Sequence, residues 1–294
     1  MKTIICIIIT MILSIITLSA QSFNHEAKVE GSSPMLLGKI NNQGLTQEPY
    51  NEWFSKNHKE YIPKQSSIDS LKTQLSSYTI SLFMGTWCGD SKREVPRLYK
   101  ILEESNFPID RLTTVAVDRS REAYKQSPGG EHEGLNIHRV PTLIFYKDGK
   151  EVNRIVESPI NTIEEDILAI LSKNYTPKYS SVILMDDLLT KKGASYISKN
   201  TKKLVKQFKD KAQSLYELNT YASVLFYADK KEEAIAILDF NTALFPKEAN
   251  TYVSLANKYL YMDDTANAIK YYEKSLEFEE NKEIQKKIKN LAQH

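Results

Sequence analysis

The chain has 294 residues, enough for two domains of ordinary size. Its 41% hydrophobic and 26% charged residues are those of a soluble globular protein, which excludes a largely disordered chain. The net charge is only +2 and the two signs are interspersed, so neither nucleic acid nor anionic lipid is an expected partner.

Residues 1–20 stand apart. Lys2 precedes an apolar run from Ile4 to Leu18, followed by Ser19-Ala20-Gln21. A basic start, a short apolar stretch and a small residue at the cut predict a secretory signal peptide. The run falls short of the roughly 20 residues that span a bilayer, so an uncleaved anchor is the weaker reading and no membrane span is expected after cleavage. No cysteine sits at the cut, which argues against a lipid-anchored protein. Leu18 fits poorly three positions before Gln21, so the cut itself is not fixed. Export to the periplasm or the extracellular space is the expectation. Cleavage removes Cys6 and leaves Cys88 as the single cysteine, a lone thiol in an oxidising compartment.

Residues 21–64 read as a polar leader and a weakly patterned extension, in which Trp53-Phe54 and Tyr61-Ile62 suggest packing. Ile68, Leu71 and Leu75 have helical spacing. Tyr78 to Met84 is an apolar, β-branched strand, and Gly85-Thr86-Trp87 a loop. A helix follows over 89–104, carrying Val95, Leu98, Ile101 and Leu102. Leu112–Val117 is a second strand. Ser127-Pro128-Gly129-Gly130 is a loop. Thr142–Tyr146 is a third strand, turned by Asp148-Gly149 into a returning strand over Val152–Val156. A helix over 160–171 closes a domain expected at 65–174. Beyond Asn174-Tyr175-Thr176-Pro177 only helices are predicted, over 175–294. The lysines at 202, 203, 206, 209 and 211 lie opposite Leu204, Val205, Phe208 and Ala212, as on a solvated amphipathic helix at 201–216.

Phe83-Met84-Gly85-Thr86-Trp87-Cys88-Gly89-Asp90-Ser91 places a cysteine between a strand and a helix N-terminus. The partial positive charge of that helix end favours thiolate, the nucleophile of disulfide exchange. Lys92 and Arg93 add to this effect and Asp90 opposes it. The segment resembles the active-site turn of thioredoxins. Pro96, eight residues after Cys88, matches the proline that kinks the family's helix, and Val140-Pro141-Thr142 matches its cis-proline turn. The resemblance covers roughly residues 65–172 and implies an α/β thioredoxin-like fold, a central mixed sheet flanked by helices. It further implies that Trp87, Val140 and Pro141 contact the substrate and that Cys88 is catalytic.

Two departures shape the chemistry. Ser91 replaces the second cysteine of a dithiol thioredoxin; its hydroxyl can steady a thiolate but cannot resolve a mixed disulfide. Leu82 replaces the buried acid that many thioredoxins carry. The expectation is monothiol exchange with protein thiols or disulfides, released by a client thiol, a small-molecule thiol or a separate reductant. An oxidoreductase or isomerase of this kind leads over a scaffold with an inert cysteine. Cys88-Gly89-Asp90-Ser91 also resembles the cluster-binding turn of monothiol glutaredoxins, but export and Trp87 argue against it. The histidines lack metal-ligand spacing, so neither cofactor nor metal is expected.

Ala234-Ile235 recurs as Ala268-Ile269, 34 residues on, and at the same shift Tyr221-Ala222, Leu225 and Leu238 become Leu255-Ala256, Tyr259 and Tyr272. This pattern resembles the tetratricopeptide repeat, over about 217–281, and gives a C-terminal all-α tetratricopeptide-like helical-repeat domain. About three such units are needed for stability, so the helix at 201–216 and the last helix, with Ile284, Ile288 and Leu291, are expected as caps. The resemblance implies a peptide or protein ligand for this domain. The competing reading is a non-catalytic adaptor that binds proteins through both domains.

Overall fold

A computed structural model describes residues 23–28 and 31–293; the segment read as an export signal lies outside them. Six strands form one mixed sheet in the order β1(His25–Ala27), β2(Met35–Ile40), β4(Leu112–Ala116), β3(Thr79–Met84), β5(Thr142–Lys147), β6(Lys150–Val156). Only β3 and β4 run parallel; the other neighbours are antiparallel. The helices around it are α1(Asn42–Leu45), α2(Asn51–Glu60), α3(Gln65–Gln74), α4(Gly89–Glu104) and α5(Ile163–Leu171).

Strand alternation sorts the core into two faces. Ile80, Leu82 and Met84 of β3 point into the larger cluster, with Leu98, Ile101, Phe145 and Ile167. Phe83 points the other way, with Val115, Ile144, Ile137 and Val140, and Trp87 and Cys88 pack against this smaller cluster. Pro96 lies inside α4 and supplies no N–H to the carbonyl of Lys92. Asn57 Nδ2 of α2 donates to that carbonyl at 3.1 Å and fills the gap.

The sheet reaches back to His25, well before residue 65, where the domain was expected to start. Met35-Leu36-Leu37-Gly38 lacks the β-branched alternation of a recognisable strand, yet all three apolar side chains are buried. Gly38, at φ +74°, sits where β2 exchanges partners, pairing with β1 before it and with β4 from it onward.

The C-terminal region is helical: α6(Ser180–Lys192), α7(Ala194–Lys199), α8(Thr201–Phe208), α9(Leu215–Tyr227), α10(Lys231–Leu244), α11(Ala249–Tyr261), α12(Thr265–Leu276) and α13(Lys282–Leu291). The pair α9–α10 recurs as α11–α12 after 34 residues, starts included. Ala222, Ala234, Ala256 and Ala268 are fully buried where paired helices meet. The helix expected at 201–216 ends at Phe208, and Ala212 lies beyond it. Ser214 and Glu217 form a reciprocal capping box that starts α9 instead. Among the described residues no helix is long and apolar enough to cross a membrane.

The two parts meet around His138, which is 1% exposed. Its ring stands edge-on to Tyr179 and Tyr221 of the helical region, with centroids 6.0 and 6.2 Å away. Nδ1 faces the Asn136 carbonyl at 3.2 Å, while Nε2 is buried without a partner. Burial, with lesser repulsion from Arg139, pushes His138 from 6.5 down to about 3.

The folded chain therefore holds His138 neutral where the unfolded chain protonates it, and stability is lost as pH falls from 6.5 towards 3. Urea unfolding of the wild type and of His138→Phe checks this. The stability advantage of the wild type should shrink by about 1 kcal/mol per pH unit between pH ~6 and ~4. A constant difference would show that His138 is not the acid-labile group.

Candidate functional site

At the end of β3 the chain must leave the sheet and enter α4 within a few residues. Gly85 permits the turn: a Cβ there would lie 2.5 Å from Cε2 of Trp87. Trp87 folds back over the loop, and its Nε1 donates to the Val117 carbonyl at 2.9 Å. Thr86 Oγ1 accepts from Leu36 N–H at 3.2 Å and ties the loop to β2. Cys88 N–H donates to Gly85 O at 2.9 Å, and Cys88 is the N-cap residue of α4.

Cys88 is half-buried and is the free cysteine among the described residues. Its thiol donates to the Val140 carbonyl at 3.2 Å. The Val140–Pro141 bond is cis, and Pro141 O accepts from Glu157 N–H at 2.7 Å. Cys88, Val140 and Trp87 thus converge on one apolar patch above Phe83 and Val115. The sulfur sits at the carboxyl end of the central strand, where open α/β sheets place their ligands.

Ser91 is fully buried one turn into α4. Its Oγ accepts from Gly85 N–H at 3.2 Å and so braces the loop, a role beside the thiolate support that the sequence suggests. Arg93 is turned away: it pairs with Asp90 at 2.7 Å and with Glu94 at 2.6 Å. Leu82 is fully buried beneath the site.

A cation whose charge couples to that of Cys88 was not legible in the sequence. Lys125 lies in the excursion between β4 and β5, and only 6% of it is exposed. Its Nζ donates to Tyr124 Oη at 2.6 Å. Burial, and next Arg139, push Lys125 from 10.5 down to about 8, while the charges of Cys88 and Glu157 act in the opposite sense. Tyr124 also feels Cys88; burial is the main cause of its raised value. Neither residue belongs to a motif, and only the fold couples their loop to Cys88. Arg139 and Glu157, paired at 2.5 Å, flank the Val140–Pro141 turn, and Tyr179 of the helical region hydrogen-bonds to Glu157. Among the described residues no group of three His, Cys, Asp or Glu side chains is placed to hold a metal ion.

No family model matches the chain. It is 33% identical over 89 residues to Thioredoxin Asp f 28 of Aspergillus fumigatus, spanning 73% of that protein and 30% of this chain. It is 28% identical over 112 residues to Thioredoxin-2 of Saccharomyces cerevisiae, spanning 92% of that protein and 36% of this chain. A thioredoxin of Mycolicibacterium smegmatis is 35% identical over 74 residues, 60% of its length and 25% of this chain.

Proposed function

The chain belongs to the thioredoxin family, and from that premise we propose that it is an exported thiol–disulfide exchange protein acting on protein clients through the single thiol of Cys88. The observation that carries this reading is the position of the sulfur: half-buried at the start of α4 and 3.2 Å from the Val140 carbonyl beside cis-Pro141.

In the first step the Cys88 thiolate attacks one sulfur of a client disulfide. The client S–S bond breaks, a Cys88–client disulfide forms, and the second client sulfur leaves as a thiolate that takes a proton from water. In the second step a thiol of the client, or a small-molecule thiol, attacks the mixed disulfide and releases Cys88. When the client supplies that thiol its disulfides are rearranged with no net oxidation. When small-molecule thiols supply it, two are consumed: the first enters a mixed disulfide and the second attacks that disulfide, so that the client is reduced and the two thiols leave joined as their own disulfide. Trp87 gives the apolar rim, and the backbone at Val140 and Pro141 meets the client chain. With Ser91 in place of a second cysteine, release depends on a thiol from outside this chain.

Export is supported by Lys2 and the apolar run to Leu18. The helix pairs, repeating every 34 residues with buried alanines at their contacts, support tetratricopeptide-type repeats that bind protein. Ser91 and Leu82 favour a second reading, a protein-binding adaptor with an inert thiol.

Trapping separates the two. Incubation with a disulfide-containing client peptide, quenched in acid, should give a covalent adduct with the wild type and none with Cys88→Ser. Ser91→Cys should lower the trapped amount at least about tenfold, because a thiol one turn away resolves the adduct. No adduct with the wild type, or equal adduct with Cys88→Ser, would leave the adaptor reading.

A further inference from the structure

A cleft of about 580 Å³ runs between the 118–126 loop and the faces of α9 and α11. Arg119 and Arg121 stand on the loop side, and Lys258 rises from α11 on the other. No Asp or Glu lines the cleft. Beyond Lys258 it continues into a second hollow of about 490 Å³ that ends at Lys287 and again has no carboxylate. The chain as a whole is almost neutral, so this run of cations is a local feature.

Lys258 is 8% exposed, and none of Arg119, Arg121 and Lys258 forms a salt bridge among the described residues. The Lys258 ammonium lies 4.0 Å from the ring centroid of Tyr227 and 4.8 Å from that of Phe226. Burial, then Arg121, holds it down to about 8, with no carboxylate acting against them. Burying an unpaired cation is costly, and aromatic faces compensate it only in part. An incoming anion would complete the site.

The floor is rigid and polar. Asn219 donates to Ser254 Oγ at 2.9 Å and accepts from Asn241 at 2.8 Å, joining α9, α10 and α11. Gln126 donates to the Tyr227 carbonyl at 2.7 Å and Tyr124 packs edge-on to Tyr227, fixing the loop against the helices. Tyr124 lines the cleft and is electrostatically coupled to Cys88.

We propose that this cleft binds an acidic peptide segment of the protein whose thiol or disulfide meets Cys88. Successive carboxylates would face Arg119, Arg121 and Lys258, and the cleft's amide and hydroxyl side chains would meet the peptide backbone. A peptide suits the site better than a nucleic acid or a lipid surface because Asn219, Thr220, Ser223, Asn250 and Ser254 line the cleft with amides and hydroxyls that can hydrogen-bond along a peptide backbone. The delivery to Cys88 rests on the thiol-exchange reading above; the binding does not.

Fluorescence anisotropy tests the binding, using the purified protein and a fluorescein-labelled peptide rich in Asp and Glu and lacking cysteine. The peptide should bind saturably and more weakly as salt rises. Lys258→Met, which keeps the buried stem, and Arg121→Gln, on the exposed loop, should each weaken binding at least about tenfold. Cys88→Ser should bind like the wild type. Equal binding of the matched Asn/Gln peptide, unchanged affinity in both variants, or stronger competition by a single-stranded oligonucleotide or phosphatidylglycerol vesicles would overturn the proposal. A cysteine added to each peptide as a mixed disulfide separates the two readings. Adduct formed equally with the acidic and amide peptides removes the cleft and leaves the chemistry. Binding without any adduct removes the chemistry and leaves the cleft.

Discussion

Strand β3 has to hide both of its faces, and most of the molecule is arranged around that requirement. Ile80, Leu82 and Met84 demand cover on one side, which α2, α3, α4 and α5 provide. Phe83, with its neighbours Val115 and Ile144, demands it on the other. No helix of the sheet domain fills that second side; Ile137 and Val140, from the long excursion between β4 and β5, do so instead. The same excursion carries Lys125 and Tyr124, both electrostatically coupled to Cys88, and brings Arg119 and Arg121 to the cleft. Packing below the sheet end and chemistry above it are thus two consequences of one covering segment.

That arrangement changes how charge reaches the site. A buried acid under the thiol would be an anion close to a forming anion; Leu82 leaves the position apolar. Of the cations adjacent in sequence, Arg93 is engaged elsewhere, held between Asp90 and Glu94. Lys125 supplies a positive charge coupled to Cys88 from across the fold. A cation under such burial is easily neutralised, and Lys125 is held down to about 8. Ser91 takes a mechanical part, closing the loop through the Gly85 amide.

Legibility in the sequence followed the range of the interactions. Strand β3, helix α4, the β5–β6 hairpin and the 34-residue helical period rest on local patterning and could be read directly. Cys88, Trp87 and Val140-Pro141 could be read because they sit in short motifs. Strand β2 could not: Met-Leu-Leu-Gly carries no alternation, and it is a strand because β4 offers it an edge. The break after Phe208 was hidden because Leu204 and Ala212 keep helical spacing across it, while the Ser214–Glu217 box that restarts the chain is a pattern of only two polar residues. Lys125, Tyr124 and Lys258 had no local signature at all. Their environment is made by segments far apart in the chain.

The junction between sheet and helices explains why the repeats stand as a wall of the site. Tyr179, at the start of α6, hydrogen-bonds to Glu157 and lies 4.4 Å from the Arg139 guanidinium carbon, so the first residue of the helical region helps hold the turn that faces Cys88. Tyr221, midway along α9, closes over His138 from the same side, and Tyr227, its last residue, meets Tyr124. One helix therefore touches both flanks of the β4–β5 excursion. A displacement of α9 would move Tyr221 and Tyr227 together, and with them the cover of His138 and the rim of the cleft. Contacts from the middle and the C-terminal end of one helix resist rotation better than one contact would, which favours a fixed arrangement of the cationic cleft against the sheet domain. The geometry seen at Cys88 is in this sense shared between the two halves of the chain.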